Sequence, residues 1–221
     1  MVKNRSDRPK LNSSFRSGKH SKIYENYKIY VSVLILIILY STILLFLNLL
    51  TPYDTALFLE INQYRIAAIE SFLLLWTNGG TYLFMSLIVI VLWIKGEKNP
   101  AIYLALGLIV DAILVSDLKI MIHRPRPYEV LPIMPLELAE NLRSLPSGHT
   151  ATAFLSAMIL SRFYSKYLVV FFLIAASIGF SRVYIGVHYP LDVIVGAITG
   201  CLLGIIMVDL LDRVQMVGPR R

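Results

Sequence analysis

His188 and Asp192 stand four residues apart in SRVYIGVHYPLD, with Pro190 between them at a place that suits the first turn of a helix. A carboxylate so placed can hold one imidazole nitrogen as N–H and leave the other free to attack, which is the orienting logic of a triad. His149, in the stretch PSGHT at 146–150, offers a second imidazole, able to protonate a leaving oxygen and later to take a proton from water. Lys119 and Arg126 in KIMIHRPRP and Arg182 ahead of His188 add one ammonium and two guanidiniums. Three such cations suit an anion with several oxygens, and a phosphoryl group fits them better than a single carboxylate. Ser147 and Gly148 open the helix that carries His149, where free N–H groups and the positive dipole end favour an anion and glycine permits its close approach. Donors fixed in this way stabilise the charge of a five-coordinate transition state. The chain has no HExxH pattern, no cysteine cluster and no dense set of carboxylates, so neither a metal nor a cofactor is expected.

Each cluster also has an ordinary reading. Arg and Lys at the ends of membrane spans snorkel to the interface, a reading open to Lys119, Arg124 and Arg126 taken singly, and the role of Arg124 is not legible. His149 alone could be a satisfied interfacial histidine, Pro-Ser-Gly a plain turn before a helix, and His188 with Asp192 an i,i+4 pair. Two histidines, an aspartate and three cations beside hydrocarbon are costly together, and that combination is expected at a functional site.

The elements that would position these residues are membrane helices. Of 221 residues, 57% are apolar and 16% charged, a balance foreign to an ordinary soluble domain. Apolar runs predict six transmembrane helices near 29–50, 79–95, 100–122, 147–163, 167–186 and 190–211, an all-α membrane protein with a single six-helix domain over 29–211. The charged segment DTALFLEINQYRIAAIESFLLLWTN between the first two is read as interfacial or partly re-entrant helix. Residues 1–28 carry eight Lys and Arg against Asp7 and Glu25 and read as a disordered basic tail on the cytoplasmic side, touching anionic lipid rather than nucleic acid. Residues 212–221 form a second cytoplasmic tail. The first span is too long, and lacks the cleavage site, for a signal peptide. The lone cysteine, Cys201, allows no internal disulfide.

With the amino terminus inside, most of the 21 Lys and Arg residues fall on the cytoplasmic side. The exceptions are Arg65, Lys119, Arg124, Arg126, Arg143 and Arg182. The same topology brings all three polar clusters to the outer face, where they can form one site. Asp111 should lie deep in the third span, where it is either functional or a hydrogen-bonded or protonated structural residue; it and Asp117 belong to none of the clusters.

Lys119-x6-Arg126-Pro127, Pro146-Ser147-Gly148-His149 and Ser181-Arg182-x5-His188-x3-Asp192 resemble the three signature motifs of the type 2 phosphatidic acid phosphatase (PAP2) superfamily, over roughly residues 66–210. The resemblance implies a six-helix core related to vanadium haloperoxidases, a metal-independent phosphatase and a site near the outer membrane face. It makes His188 the nucleophile of a phosphohistidine, Asp192 its partner and His149 the acid and base. Lys119, Arg126, Ser147, Gly148 and Arg182 would bind phosphate. The expected substrate is a membrane lipid phosphate or diphosphate, with a polyprenyl carrier diphosphate of undecaprenyl or dolichyl type preferred and phosphatidate or phosphatidylglycerol phosphate as competitors. The stretch 127–145 is either a cap over the site or a plain connector. A reading from another class is a lipid or anion transporter that uses the cations without turnover. Oligomeric state and pathway are not legible.

Overall fold

The computed structural model describes residues 13–77, 82–136 and 143–217, and all of their regular structure is helical. In chain order the helices are α1 (Ser13–Asn62), α2 (Ala67–Thr77), α3 (Tyr82–Ile94), α4 (Lys98–Ile122), the single turn α5 (Pro127–Val130), α6 (Gly148–Phe163), α7 (Leu168–Tyr184) and α8 (Pro190–Val217). A 3₁₀ turn, Ser165–Tyr167, links α6 to α7. The boundaries expected for the second to sixth spans are close to α3, α4, α6, α7 and α8.

One expectation needs correction and another is met only in part. The first span does not stop near residue 50: α1 continues through Pro52 to Asn62 as one helix, taking in residues read as a separate interfacial segment. Pro52 has no N–H for the i−4 carbonyl, but the neighbouring Thr51 hydroxyl donates to Leu47 O at 2.7 Å, and long-range contacts hold the far half in place. Those contacts include Asp54 at the start of α8 and Asn62 Nδ2 donating to Val183 O at 3.0 Å. At its other end α1 already begins at Ser13, inside the stretch read as a tail; residues 1–12 and 218–221 lie outside the described residues.

The number of spans is the expectation met in part. Four helices among the described residues are long and apolar enough to cross a membrane, and a fifth is gained if α2 and α3, which meet at 54°, make one bent span. The span expected over 147–163, α6, has only 16 residues. Its place in the fold explains the difference. It packs against α8, α7 and α4, and Ala151, Thr152, Ala153, Leu155, Ser156, Ala157 and Ile159 along it are all buried. A helix wrapped by other helices has no need of the long, uniformly apolar surface that lipid demands of α1, which exposes Leu34, Ile37, Leu45 and Leu49.

Small residues allow that wrapping. A Cβ at Gly200 would run into Ala151 O, and one at Gly196 would lie 2.6 Å from Ser147 O, so α8 meets α6 backbone to backbone. Below this contact Tyr103, Leu104 and Leu108 of α4, Leu155 and Ile159 of α6, and Leu203 and Met207 of α8 form the main apolar core. α1 closes the other side of α8, with Tyr40 and Ile43 against Val195 and a hydrogen bond of 2.7 Å between Tyr40 Oη and Thr199 Oγ1.

Candidate active site

The carboxyl ends of α4 and α7 and the amino ends of α6 and α8 meet at one end of the bundle, and the three polar clusters meet with them. α4 ends at His123, whose φ of 54° is left-handed, and Pro125 and Pro127 keep the chain from resuming that helix. Lys119, in the last turn of α4, is buried and donates to Arg143 O at 3.4 Å. Arg126 caps α5, where its N–H donates to Glu129 Oε2 at 2.6 Å, and its buried guanidinium turns inward to Val187 O at 2.9 Å.

His188 lies between α7 and α8 and is almost fully buried. Its Nδ1 is 3.4 Å from Asp192 Oδ2 and its Nε2 is 3.2 Å from Arg126 Nη1. A guanidinium has only donors, so Nε2 must present its lone pair and the proton sits on Nδ1, toward the carboxylate. Burial first, and then the charges of Arg126, Lys119 and Arg182, hold the imidazole pKa well below its ordinary value. His188 is therefore a neutral base at neutral pH, with its Nε2 lone pair turned toward the cations.

Asp192 is wholly buried and fully engaged. Oδ2 also accepts the Tyr189 N–H at 2.9 Å, and Oδ1 accepts from Arg124 Nη1 at 2.7 Å. The other end of Arg124, Nη2, binds Asp54 Oδ2 at 2.6 Å, while Asp54 Oδ1 accepts the Leu191 N–H at the start of α8 at 2.8 Å. The guanidinium lies over the Tyr189 ring, 4.1 Å from its centroid. Arg124 thus bridges two carboxylates, a role the sequence reading did not assign, and Asp54 on α1 was missed altogether. The available signal was the acid itself: a carboxylate one turn into the continuation of an apolar helix needs a buried cation.

Ser147 occupies the N-cap position of α6, but its hydroxyl does not cap the backbone. It accepts from Thr150 Oγ1 at 2.9 Å, which leaves the Ser147 proton for a different acceptor. The Ser147 N–H donates to Asp192 O at 3.0 Å, tying the starts of α6 and α8 together. The first acceptor within the helix, Ser147 O, takes the Ala151 N–H, so the amides of Gly148, His149 and Thr150 precede the internal ladder. A Cβ at Gly148 would touch only Val115, at 3.6 Å. His149, half-buried, lies within electrostatic range of Arg182, His188, Lys119 and Arg126. Arg182 is buried in the last turn of α7, with Nη1 donating to Thr77 Oγ1 at 3.0 Å.

All eight residues singled out by type and spacing are thus gathered at this end of the bundle. Residues 100–215 match the PAP2 superfamily. The chain belongs to that superfamily. It is 28% identical over 170 residues, covering 76% of this chain and 81% of the relative, to a protein of Sulfolobus acidocaldarius named undecaprenyl-diphosphatase. Among solved structures it resembles LpxE of Aquifex aeolicus, with a TM-score of 0.64, 36% identity, and 69% and 93% of the two chains covered. It also resembles a transmembrane PAP2-type phosphatidylglycerolphosphate phosphatase of Bacillus subtilis, with a TM-score of 0.70, 25% identity, and 88% and 100% covered.

The remaining flagged residues separate cleanly. Asp111 is fully buried in α4 away from the cations, and its Oδ2 accepts from Thr152 Oγ1 at 2.8 Å and Tyr82 Oη at 3.1 Å, binding α3, α4 and α6 together. Asp117 faces outward. Arg65 pairs with Glu70 at 2.8 Å. In the 127–145 stretch the short helix is α5, and residues 137–142 lie outside the described residues. Among the described residues no three His, Cys, Asp or Glu side chains are grouped so as to hold a metal ion.

Proposed function

We propose that the protein is a membrane lipid phosphatase that works through a phosphohistidine on His188. The observation that carries this reading is the state of His188: Nδ1–H faces Asp192, and the Nε2 lone pair faces Arg126. Nε2 attacks phosphorus as the bond to the leaving oxygen breaks, and His149 gives that oxygen its proton. Water then attacks the phosphohistidine, His149 takes a proton from it, the P–N bond breaks and inorganic phosphate leaves. Lys119, Arg126, Arg182, the Ser147 hydroxyl and the amide of Gly148 hold the phosphoryl oxygens and stabilise the charge that builds on them. The nucleophile, the acid and the cations are all side chains of this protein, so the reaction is written without a metal.

The preferred substrate is a polyprenyl diphosphate. The support is the Sulfolobus relative named for that activity, whose similarity runs well beyond the motif region. Phosphatidylglycerol phosphate, named in the Bacillus subtilis structure, and phosphatidate are the competing headgroups. The site lies at the extracytoplasmic face with both termini inside, which rests on the distribution of Lys and Arg.

Phosphate release in detergent, with a chelator present, tests the proposal against undecaprenyl diphosphate, phosphatidate and phosphatidylglycerol phosphate. Wild type should release phosphate from at least one and His188→Ala from none, and acid quenching during turnover should trap phosphate on wild type only. Release by His188→Ala at the wild-type rate would remove the nucleophile; no release by wild type across the panel would remove the phosphatase reading.

A further inference from the structure

At the end of the bundle away from His149 and His188, the far ends of α6 and α8 and the start of α7 enclose, with Lys28 of α1, a recess of about 360 Å³. That volume suits a small ligand or a headgroup. His149 and Arg162 are about 20 Å apart along α6, so the recess belongs to the opposite leaflet of the bilayer. Met158, Ile205 and Val208 give it an apolar wall. Leu168 borders it and is exposed, and α7 runs on from there through exposed Val169, Val170 and Leu173.

The polar groups of the recess are more than a network of ion pairs. Both oxygens of Asp212 are engaged: the buried Tyr103 hydroxyl donates to Oδ1 at 2.8 Å, and Arg162 Nε donates to Oδ2 at 3.2 Å. Because the carboxylate takes Nε, the two Nη groups of the Arg162 fork remain for another acceptor. Asp209 accepts from Arg213 Nε at 2.9 Å. Each acid is thus matched by an arginine, while Lys28 has no acid partner among the described residues. Ser161, on the wall of the recess, is only 8% exposed, and its hydroxyl has no hydrogen-bond partner among the described residues. Ser156 on the same helix satisfies its hydroxyl by donating back to Thr152 O at 2.7 Å; Ser161 makes no such bond. A buried donor left in this state is costly unless something else accepts its proton.

We infer that this recess is a second, non-catalytic site, which binds the phosphodiester headgroup of an anionic phospholipid. The Arg162 fork, the Lys28 ammonium and the Ser161 hydroxyl are three kinds of donor suited to the free oxygens of one phosphodiester. With the two acids already matched, the Lys28 charge favours a headgroup of net charge −1, such as phosphatidylglycerol, over a zwitterionic one. The apolar wall and the lipid-facing run of α7 beside Leu168 favour a lipid over a soluble anion, since acyl chains attached to the headgroup continue along that surface. Diffuse attraction between the basic amino-terminal stretch and an anionic membrane needs neither Arg162 nor Ser161, and it does not distinguish Lys28 from its neighbours.

The test places a photoreactive side chain at Leu168 of the full chain, in nanodiscs of phosphatidylcholine containing a trace of radiolabelled phosphatidylglycerol. The label should crosslink, and unlabelled phosphatidylglycerol should compete where phosphatidylethanolamine and inorganic phosphate do not. Equal competition by phosphatidylethanolamine would mean annular lipid only, and competition by inorganic phosphate would mean a soluble-anion site; either overturns the inference. Lys28→Gln should lower the crosslinking yield at subsaturating lipid about fivefold, and Lys22→Gln, six residues earlier in the basic stretch, should leave it within about twofold. Equal losses in the two variants would mean diffuse surface attraction and would overturn it too. Ser161→Ala should keep its melting temperature in lipid-free detergent, because the hydroxyl bonds no other described residue, and should still lower the yield about threefold. An undiminished yield in both Lys28→Gln and Ser161→Ala would also overturn it. The readout needs no turnover, so its result is separate from that of the phosphatase reading.

Discussion

Arg126 Nη1 lies 3.2 Å from His188 Nε2, and this contact decides where the imidazole proton resides. The cation proposed to bind phosphate therefore also fixes which nitrogen of His188 carries the lone pair.

Replacing Arg126 should act on both functions. Arg126→Gln should lower kcat/KM about 100-fold through lost phosphate stabilisation. It should also move the acid limb of the kcat/KM profile to higher pH, because one of the charges opposing the imidazolium has gone. Arg126→Lys should keep the limb near its wild-type position while still losing rate. A limb that does not move in Arg126→Gln would separate His188 from the observed titration.

The same burial has a consequence for stability. The folded-state pKa of His188 is depressed, so below the ordinary imidazole value of about 6.5 the unfolded chain takes up a proton that the folded protein refuses. This contribution is fully present above that value and is lost as pH falls below it toward the folded pKa. His188→Gln should flatten the dependence of melting temperature on pH in that window, measured in detergent by intrinsic fluorescence.

Asp54 is expected to matter although it lies outside the residues matched to the family. Asp54→Asn removes one of the two carboxylates that Arg124 bridges and leaves a buried guanidinium half-paired. A cost of about 3 kcal/mol in stability should follow. Asp192, now alone against Arg124, should be drawn from His188, with kcat falling about tenfold; Asp54→Glu should recover part of both. Thermal unfolding and phosphate release on the same preparations check this.

Along α8, three alanine substitutions should rank by what the new methyl meets. Gly200→Ala drives Cβ into Ala151 O and Gly196→Ala into Ser147 O, both backbone, whereas Gly204→Ala meets the flexible Met158 side chain at 2.7 Å. Melting temperature should fall most for Gly200→Ala and least for Gly204→Ala, with the backbone clashes costing about 1–3 kcal/mol. Gly196→Ala should also lower kcat/KM, since it displaces the residue that precedes Gly148.

Much of the site was legible because its chemistry rests on residue types that hydrocarbon does not tolerate. His149, His188, Asp192 and the cations stand out from apolar runs by cost alone, and short spacings place them at helix ends. Arg124 and Asp54 were harder to read. Arg124 is one of two arginines in RPRP, and only the positions of Asp192 and Asp54 distinguish it from a snorkelling side chain. Asp54 reaches the site because α1 continues past Pro52, and a proline normally argues for a stop. The shortness of α6 was visible, but its meaning was not: hydropathy reports how apolar a segment is, and cannot tell a lipid-facing helix from one enclosed by its neighbours.

The contact between Gly196 and Gly200 of α8 and the backbone of α6 has one more consequence. His149 rides on α6, and His188 with Asp192 belongs to the start of α8, where Ser147 N–H and Asp192 O also join. Two helices that touch main chain to main chain have no slack to slide or part. The gap between His149 and His188 is therefore a built dimension, set once when the chain folds, like the opening of a fixed gauge.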